Sequence, residues 1–217
     1  MAARRPSLEL VRLGIIGAGR LGSAVARRLL PAGHDIVLGG GAGPQEAAAD
    51  LGLPGVSNRD AAAFAEVVVL AVPFAAIGRA LEQADPPEDI VIWSCVNALK
   101  PDLSGLAVGF DTSAAEEVAR RAPQARVVSA IPPFAEALDN GDLHYENGVS
   151  PSVFVCGDDD RAKALVELLV FDLGAQPVDA GSLTAARLIE PTMMLLVSIA
   201  YAGVPRDVGL RLLERAH

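Results

Sequence analysis

The sequence has few of the residues that build metal sites, disulfide frameworks or acid–base triads. Its 217 residues include two cysteines, Cys95 and Cys156, which lie far apart in apolar runs without C-x-x-C spacing. This spacing argues against a metal site and against a disulfide framework, and it favours reduced core thiols in a cytoplasmic protein. The histidines are His34, His144 and His217. We predict that His34 is a solvated turn residue, and no pattern assigns a catalytic role to any of the three.

The sequence also lacks a block of positive charge and a long uninterrupted apolar run. Its formal net charge is -9, so we expect neither nucleic acid nor a membrane surface as a partner, because both favour clustered Lys and Arg. We expect no signal peptide, because Glu9 and Arg12 follow the start too closely. The most apolar late segment, 193–202, has about half the length that spans a bilayer and is predicted to be a buried helix.

The segment 11–30 carries the most informative motif, a glycine-rich turn between an apolar strand and an amphipathic helix. The turn has the G-x-G-x-x-G spacing of dinucleotide-binding folds and comprises Gly17, Ala18, Gly19, Arg20, Leu21 and Gly22. In such folds the first glycine permits the tight turn, the second lets a pyrophosphate approach the backbone, and the third lets the helix pack closely on the strand. The helix N-terminus then faces the phosphates with free N–H groups.

Apolar strand patterns alternate with helical patterns along the whole chain. Strands are expected at 11–16, 36–38, 67–72, 90–95, 126–130, 152–156 and 176–178. Helices are expected at 23–30, 45–51, 75–83, 114–121, 161–171 and 183–202. Continuous apolar strands are typical of a parallel sheet covered on both faces. We therefore predict an α/β fold of the doubly wound Rossmann type, with a dinucleotide-binding domain at 8–180 and a C-terminal helical segment at 181–217 that packs on this domain or on a second copy.

The end of the second predicted strand leaves the choice between NADP and NAD open. An Asp or Glu there would accept a hydrogen bond from the ribose of NAD, and a basic residue would favour NADP. The sequence instead continues with Gly39 and Gly40 and has neither an acid nor an arginine nearby. Arg20 in the first loop is the nearest cation that could reach a 2′-phosphate, and a solvated arginine beside the pyrophosphate explains it equally well.

Three further strand ends are expected to meet the glycine loop, because the carboxyl ends of parallel strands form the ligand cleft in open α/β sheets. The cofactor-binding candidates there are Ala71, Val72, Pro73 and Asn97, the last of which could bond the nicotinamide carboxamide or its ribose. The substrate-binding candidates are Ala130, Ile131 and Pro132. The polar stretch 139–147, with His144 and Tyr145, could form a rim or lid.

These motifs together resemble the NADPH:coenzyme F420 oxidoreductases. The resemblance rests on the glycine fingerprint, the A-V-P strand end and the segments 101–105, 113–116, 127–130, 155–160, 173–183 and 186–190, and it extends over nearly the whole chain. It implies hydride transfer between NADP(H), with NAD not excluded, and the 5-deazaflavin coenzyme F420. Such a transfer needs positioning more than side-chain chemistry, so we expect no catalytic acid or base and no metal.

Two departures from the family pattern keep other functions open. Family members usually carry a Ser-Arg pair for the 2′-phosphate where Gly40 and Gly41 stand, and they commonly carry a histidine near the position of Pro132. One alternative is an NAD(P)H-dependent reductase of a small C=O or C=N substrate. The other is a non-catalytic dinucleotide-binding regulator. The apolar helix and the tail are consistent with a homodimer, although core packing explains them equally well.

Overall fold

The sheet that the alternating pattern predicts is present and has eight strands in the described part of the chain. The structure, a computed structural model, describes residues 10–40, 44–139, 143–145, 148–202, 208–213 and 215. The strand order is β3-β2-β1-β4-β5-β6-β7-β8, so the order changes direction between β1 and β4. The strands are β1 (Arg12–Ile16), β2 (Asp35–Gly39), β3 (Gly55–Val56), β4 (Val67–Leu70), β5 (Val91–Ser94), β6 (Arg126–Ala130), β7 (Ser152–Gly157) and β8 (Gln176–Asp179).

The helices cover both faces of this sheet, as the doubly wound prediction requires. They are α1 (Arg20–Leu29), α2 (Pro44–Leu51), α3 (Asn58–Phe64), α4 (Ile77–Ala84), α5 (Ala114–Arg121), α6 (Ala135–Asp139), α7 (Asp160–Asp172) and α8 (Ala186–Tyr201). Alternate strand residues point to opposite faces, and β4 divides accordingly. Val67 and Val69 pack in one hydrophobic cluster, while Val68 and Leu70 pack in the other. The fold class is therefore confirmed.

Local signals at helix ends act as the sequence indicates. The Ser113 side chain accepts a hydrogen bond from the backbone N–H of Glu116, and the Asp159 side chain accepts one from Ala162. Gly33 and Gly174 follow the 3-10 turn after α1 and helix α7, with φ angles of 92° and 94°. This left-handed conformation favours glycine, so both residues end their helices at low cost.

The prediction of a purely parallel sheet is wrong at one pair of strands. β7 runs antiparallel to β6, and every other neighbouring pair is parallel. A parallel crossover needs a long connecting element to bring the chain back to the other end of the sheet. Helix α6, which follows β6, has five residues. Helix α6 therefore does not have the length of the long crossover helix that usually joins two parallel strands.

The prediction that His34 is a solvated turn residue is also wrong. His34 is 4 % exposed, and its Nδ1 atom accepts a hydrogen bond from the Val11 backbone N–H at 3.2 Å. Its Nε2 atom lies 3.1 Å from Oδ2 of Asp172 at the end of α7. Burial of a polar ring is tolerated because both nitrogens have partners. The residue therefore links β1 to α7.

The C-terminal segment is helical only in its first part. The described residues 208–213 are not helical, which corrects the prediction of a helical segment to the end of the chain. The backbone there bonds to the beginning of β7 instead of to itself. Ser152 N–H donates to the Leu210 carbonyl oxygen at 2.6 Å, and Leu212 N–H donates to the Ser152 hydroxyl at 3.1 Å. This segment therefore packs on its own domain.

Helix α8 is anchored by a buried carboxylate. Glu190 is 1 % exposed and accepts hydrogen bonds from the backbone N–H groups of Ala114 and Ala115, at 2.9 and 3.2 Å. A carboxylate at a helix N-terminus compensates unpaired N–H groups and the positive end of the helix dipole. By length and composition alone, the stretch Leu183–Tyr201 could also cross a membrane, and 39 % of it is buried inside the protein. One such helix is weak support for a membrane span.

Candidate active site at the carboxyl ends of the strands

Two of the fingerprint glycines are required by the protein itself. Gly17 has a φ angle of 110°, and a side chain there would overlap the carbonyl oxygen of Ala71. A side chain at Gly22 would overlap the carbonyl oxygen of Gly17, so this glycine lets α1 begin directly on β1. Both positions confirm the close packing that the motif predicts between the loop, the strand and the helix.

At Gly19, by contrast, the protein itself leaves room for a side chain. A Cβ atom built at Gly19 would have no neighbour within 4 Å. Gly19 is the N-cap residue of α1 and makes no side-chain cap, so the first N–H groups of α1 face this open space. A helix N-terminus with free N–H groups is a favourable place for an anion such as a pyrophosphate. The space at Gly19 is therefore suited to a ligand.

Two cavities lie on either side of the glycine loop. The larger cavity has a volume of about 640 Å³, and the second cavity has a volume of about 540 Å³. Both volumes lie in the usual range of small-molecule sites. Gly19 and Val72 line both cavities, so the loop and the end of β4 separate them. This position coincides with the change of direction in strand order between β1 and β4, where α/β proteins bind ligands.

Most of the sequence-predicted site residues line one of these cavities. The larger cavity is lined by Gly19, Arg20, Leu21, Ala71, Val72, Pro73, Asn97, Ile131 and Pro132. The second cavity is lined by Gly17, Ala18, Gly19, Gly40 and Val72. The structure therefore brings together the four strand ends that the sequence placed in one cleft. It adds that the cleft has two compartments.

Three predicted site residues lie outside both linings. Gly22 and Gly39 serve packing, because side chains there would overlap Gly17 or crowd the Cβ atom of Ala61. Ala130 is fully buried in the core, and its carbonyl oxygen accepts a hydrogen bond from Nε1 of Trp93 at 2.7 Å. The expectation that Ala130 forms the cavity lip therefore does not fit the structure, since its side chain points into the core cluster.

The larger cavity is lined mainly by apolar side chains that sequence reasoning did not single out. They come from four separate places in the chain and are Phe74, Leu99, Leu103, Phe134, Met193 and Val197. The two residues from α8 were expected only as core of a buried helix. No sequence signal places α8 over the ends of β5 and β6, because that contact depends on tertiary packing. The resulting walls suit flat, largely apolar rings.

The described lining of the larger cavity lacks the side chains that most often transfer protons in enzymes. It contains no His, Asp, Glu or Tyr; its ionisable residues are Arg20, Cys95 and Lys100. Burial raises the pKa of the Cys95 thiol far above its usual range, so the thiol stays protonated. Neither His144 nor Tyr145 lines this cavity. The rest of the proposed lid, 140–142 and 146–147, lies outside the described residues. Chemistry that needs only orientation of bound reactants fits this site best.

Arg20 faces the larger cavity and is already paired. Its Nη1 atom lies 3.0 Å from Oε1 of Glu136 on α6, and Arg20 is absent from the lining of the second cavity. The cation that does line the second cavity is Arg79 on α4, beside Asn58 and Gln83. Sequence reasoning missed these three residues, because they follow β3 and β4 at positions where no motif indicates a nucleotide contact.

Comparison with known proteins shows which proteins have sequences similar to this chain. A family model described as NADP oxidoreductase, coenzyme F420-dependent, matches residues 12–98. The F420-dependent NADP reductase of Methanothermobacter thermautotrophicus is 28% identical over 223 residues, covering 94% of this chain and 95% of the relative. The reductase of the same name from Methanocaldococcus jannaschii is 29% identical over 164 residues, covering 73% and 72%. The chain is therefore similar in sequence to F420-dependent NADP reductases.

Solved structures support the same relationship. An Arthrobacter sp. FB24 protein provisionally assigned as an F420-dependent NADP reductase has a TM-score of 0.82 and 25% identity, covering 95% of this chain and 100% of that one. A hypothetical protein from Sinorhizobium meliloti has a TM-score of 0.75 and 27% identity, covering 95% and 97%. An imine reductase from Pseudomonas sp., at 18% identity and a TM-score of 0.66, shares the fold and covers 89% and 64%.

The match to the F420-dependent NADP reductase family model includes only part of the site. Residues 12–98 contain the glycine loop, the strand end at Pro73 and Asn97. Ile131 and Pro132 lie beyond the matched range. The relatives from methanogens, by contrast, cover nearly all of the chain or about three quarters of it.

Proposed function

We propose that the protein transfers a hydride between NADP(H) and coenzyme F420. The observation that carries this proposal is the match to F420-dependent NADP reductases over 94% of the chain, joined to an apolar cavity beside an open dinucleotide loop. When bound, the two coenzymes would supply the redox chemistry: the hydride would leave one ring with its electron pair and join the other, and the proton that completes reduced F420 would come from solvent. The nicotinamide and the deazaflavin are both two-electron carriers, so the protein's contribution is binding and orientation.

Different residues around the two cavities would bind and orient the coenzymes. The N–H groups at the beginning of α1 would bind the pyrophosphate over Gly19. Asn97 lines the larger cavity, and its Oδ1 atom has no hydrogen-bond partner among the described residues. Its amide would hold the carboxamide or ribose of the nicotinamide half. The apolar walls, including Phe74 and Phe134, would exclude water from the two rings.

A reductase of a small C=O or C=N substrate is less well supported. Such a reduction delivers a hydride to carbon and a proton to oxygen or nitrogen, so it needs a proton donor beside the nicotinamide. The described lining of the larger cavity contains no His, Asp, Glu or Tyr, and its ionisable residues are Arg20, Cys95 and Lys100. A regulator that binds dinucleotide without turnover remains the alternative that kinetics must separate from the proposed enzyme.

The test is a stopped-flow measurement of NADPH oxidation with F420 as acceptor. We expect NADPH to be consumed only when F420 is present, in equal amounts. Replacing His144 or Tyr145 by Phe should leave turnover within about tenfold, because loss of a true general acid costs about a hundredfold or more. NADPH oxidation by a ketone or imine without F420 would establish the other reductase. Tight NADPH binding without any oxidation would establish the regulator.

We also propose that the protein is a cytoplasmic homodimer. Support for the location comes from two buried cysteines that form no disulfide, as in a reducing compartment. Support for the dimer comes from one face of α8, where Leu188, Leu195 and Ile199 are 68%, 60% and 37% exposed. Their spacing of seven and four residues places them on one side of the helix. An apolar stripe of this kind is typical of a contact with a second copy.

Light scattering after gel filtration tests the dimer. We expect the parent to have twice the mass of one chain, and the Leu188→Glu/Leu195→Glu variant to have the mass of one. The matched control is Leu213→Glu, which places the same charge at an 80% exposed leucine outside α8 and should leave the dimer intact. A parent with the mass of one chain would contradict the proposal.

A further inference from the structure

The second cavity is where the adenosine half of a dinucleotide would lie. The loop at Gly19 separates it from the larger cavity, whose walls come from the ends of β5 and β6. The second cavity instead lies on the β2 side and is lined by Gly40 and Pro44, next to α4. A dinucleotide with its pyrophosphate over the helix N-terminus has one nucleoside on each side of the loop. With the nicotinamide in the larger cavity, the adenosine ribose falls beside Gly40.

One cation in the described part of the chain faces this space. Arg79 lines the second cavity from α4, and its side chain is exposed. It makes no ion pair or hydrogen bond with any described residue, whereas Arg20 on the other side of the loop is paired with Glu136. Arg79 shares one face of α4 with Ala76, Ala80 and Gln83, which also line the cavity. Its guanidinium is therefore available for an anionic ligand.

The remaining lining is uncharged, and its polar side chains are Asn58 and Gln83. Asn58 is 6% exposed, its Nδ2 atom donates to Oε1 of Gln83 at 3.1 Å, and its Oδ1 atom has no partner among the described residues. No carboxylate is among the described lining residues, so no negative charge in this lining repels a phosphate. The lining also has no Asp or Glu that could accept a hydrogen bond from the 2′-hydroxyl of the NAD ribose. In a chain with a net charge of -9, a single unpaired arginine at this place is a specific feature.

We propose that Arg79 binds the 2′-phosphate of the adenosine ribose and thereby selects NADP(H) over NAD(H). A planar guanidinium can make two parallel hydrogen bonds to a phosphate, which an uncharged hydroxyl of NAD cannot match. The selecting cation thus comes from α4 instead of from the end of β2, where the sequence has only glycine. This inference rests on the proposed use of NADP(H) and names the residue that determines it.

The experiment compares the affinities of NADPH and NADH in the parent and in Arg79→Met. We expect NADPH to bind about 10- to 100-fold more weakly in the variant, while the Kd of NADH changes by less than about twofold. Arg79→Lys should retain part of the preference, because it keeps the charge without the planar fork. The matched control is Arg161→Met, which removes an exposed arginine of α7 outside both cavities and should change neither Kd.

Three outcomes would overturn the inference: equal weakening of both nucleotides by Arg79→Met, no weakening of either, or a selective loss of NADPH in Arg20→Met instead. Hydride transfer to F420, followed separately, distinguishes this inference from the proposed function. A parent that prefers NADPH through Arg79 but does not reduce F420 keeps the inference and rejects the acceptor. A variant that reduces F420 with undiminished preference for NADPH rejects the inference and keeps the function.

Discussion

At the scale of single residues, the fingerprint glycines have different tasks although the motif treats them alike. Gly17 and Gly22 are fixed by contacts within the protein, and Gly19 faces open space. Because of this difference, we expect a substitution at Gly19 to reduce ligand binding and a substitution at Gly17 or Gly22 to reduce stability. It also agrees with the motif as predicted from the sequence: Gly17 and Gly22 allow close packing around the turn, and Gly19 leaves space for a ligand.

We therefore expect the Gly19→Val variant to fold normally but to bind NADPH more weakly. A Cβ atom at this position has no protein atom within 4 Å, and the branched side chain would occupy the space over the beginning of α1. We expect the affinity for NADPH to fall at least about tenfold, or about 1.4 kcal/mol, with an unchanged Tm. Fluorescence titration and thermal unfolding measure the two effects. Gly22→Ala should show the converse pattern of a lowered Tm, and an unchanged NADPH affinity in Gly19→Val would contradict the assignment.

Other site residues could not be predicted because their place depends on contacts distant in sequence. Arg79 has no motif of its own, and it reaches the second cavity only because α4 packs beside the glycine loop. His34 was predicted to be solvated, but the structure buries it. A polar residue in a helix-to-strand turn is usually solvated, but here Asp172, 138 residues away, supplies the partner that permits burial.

At the scale of elements, the long apolar strands and the helices of eight or more residues could be predicted, and the shorter ones could not. α3 has seven residues and α6 has five, and neither displays a clear apolar period. α3 begins where the Ser57 side chain accepts a hydrogen bond from the Asp60 backbone N–H. β3 has only two residues. The direction of β7 could not be predicted either, because β7 has the same continuous apolar pattern as the parallel strands but runs antiparallel to β6.

We expect the contact between α8 and α5 to make the free energy of unfolding depend on pH. Burial raises the pKa of Glu190 to about 7, although hydrogen bonds from backbone N–H groups partly offset this rise. The unfolded chain would release this proton near its ordinary pKa of 4.5. Between these values the folded state binds the extra proton, so the free energy of unfolding falls as pH rises from 4.5 to 7. The fall is about 3 kcal/mol for a shift of this size.

Denaturant unfolding of the parent and of Glu190→Gln at pH 5 and pH 8 checks this expectation. Because the amide does not titrate, the stability of the parent relative to the variant should fall by about 3 kcal/mol between the two values. Glu82→Gln, which removes an exposed carboxylate on α4, controls for the loss of one negative charge. A relative stability that is the same at both pH values would show that Glu190 does not titrate in this range.

At the scale of the whole molecule, the fold places two compartments on either side of one loop. The change of strand order between β1 and β4 produces this division, and the order could be predicted only as a fold class. The larger compartment also needs α8, whose Met193 and Val197 complete its wall. The absence of His, Asp, Glu and Tyr from its described lining agrees with a reaction that depends mainly on the alignment of two rings.

The most direct test of this account follows the reactive hydrogen itself. NADPH deuterated at the transferred position is mixed with F420 in ordinary water, and reduced F420 is examined by mass spectrometry. Direct hydride transfer predicts that the deuterium appears in reduced F420, because no described group in the larger cavity would exchange it with solvent. Absence of F420 reduction, or reduced F420 that carries only hydrogen from water, would contradict the account.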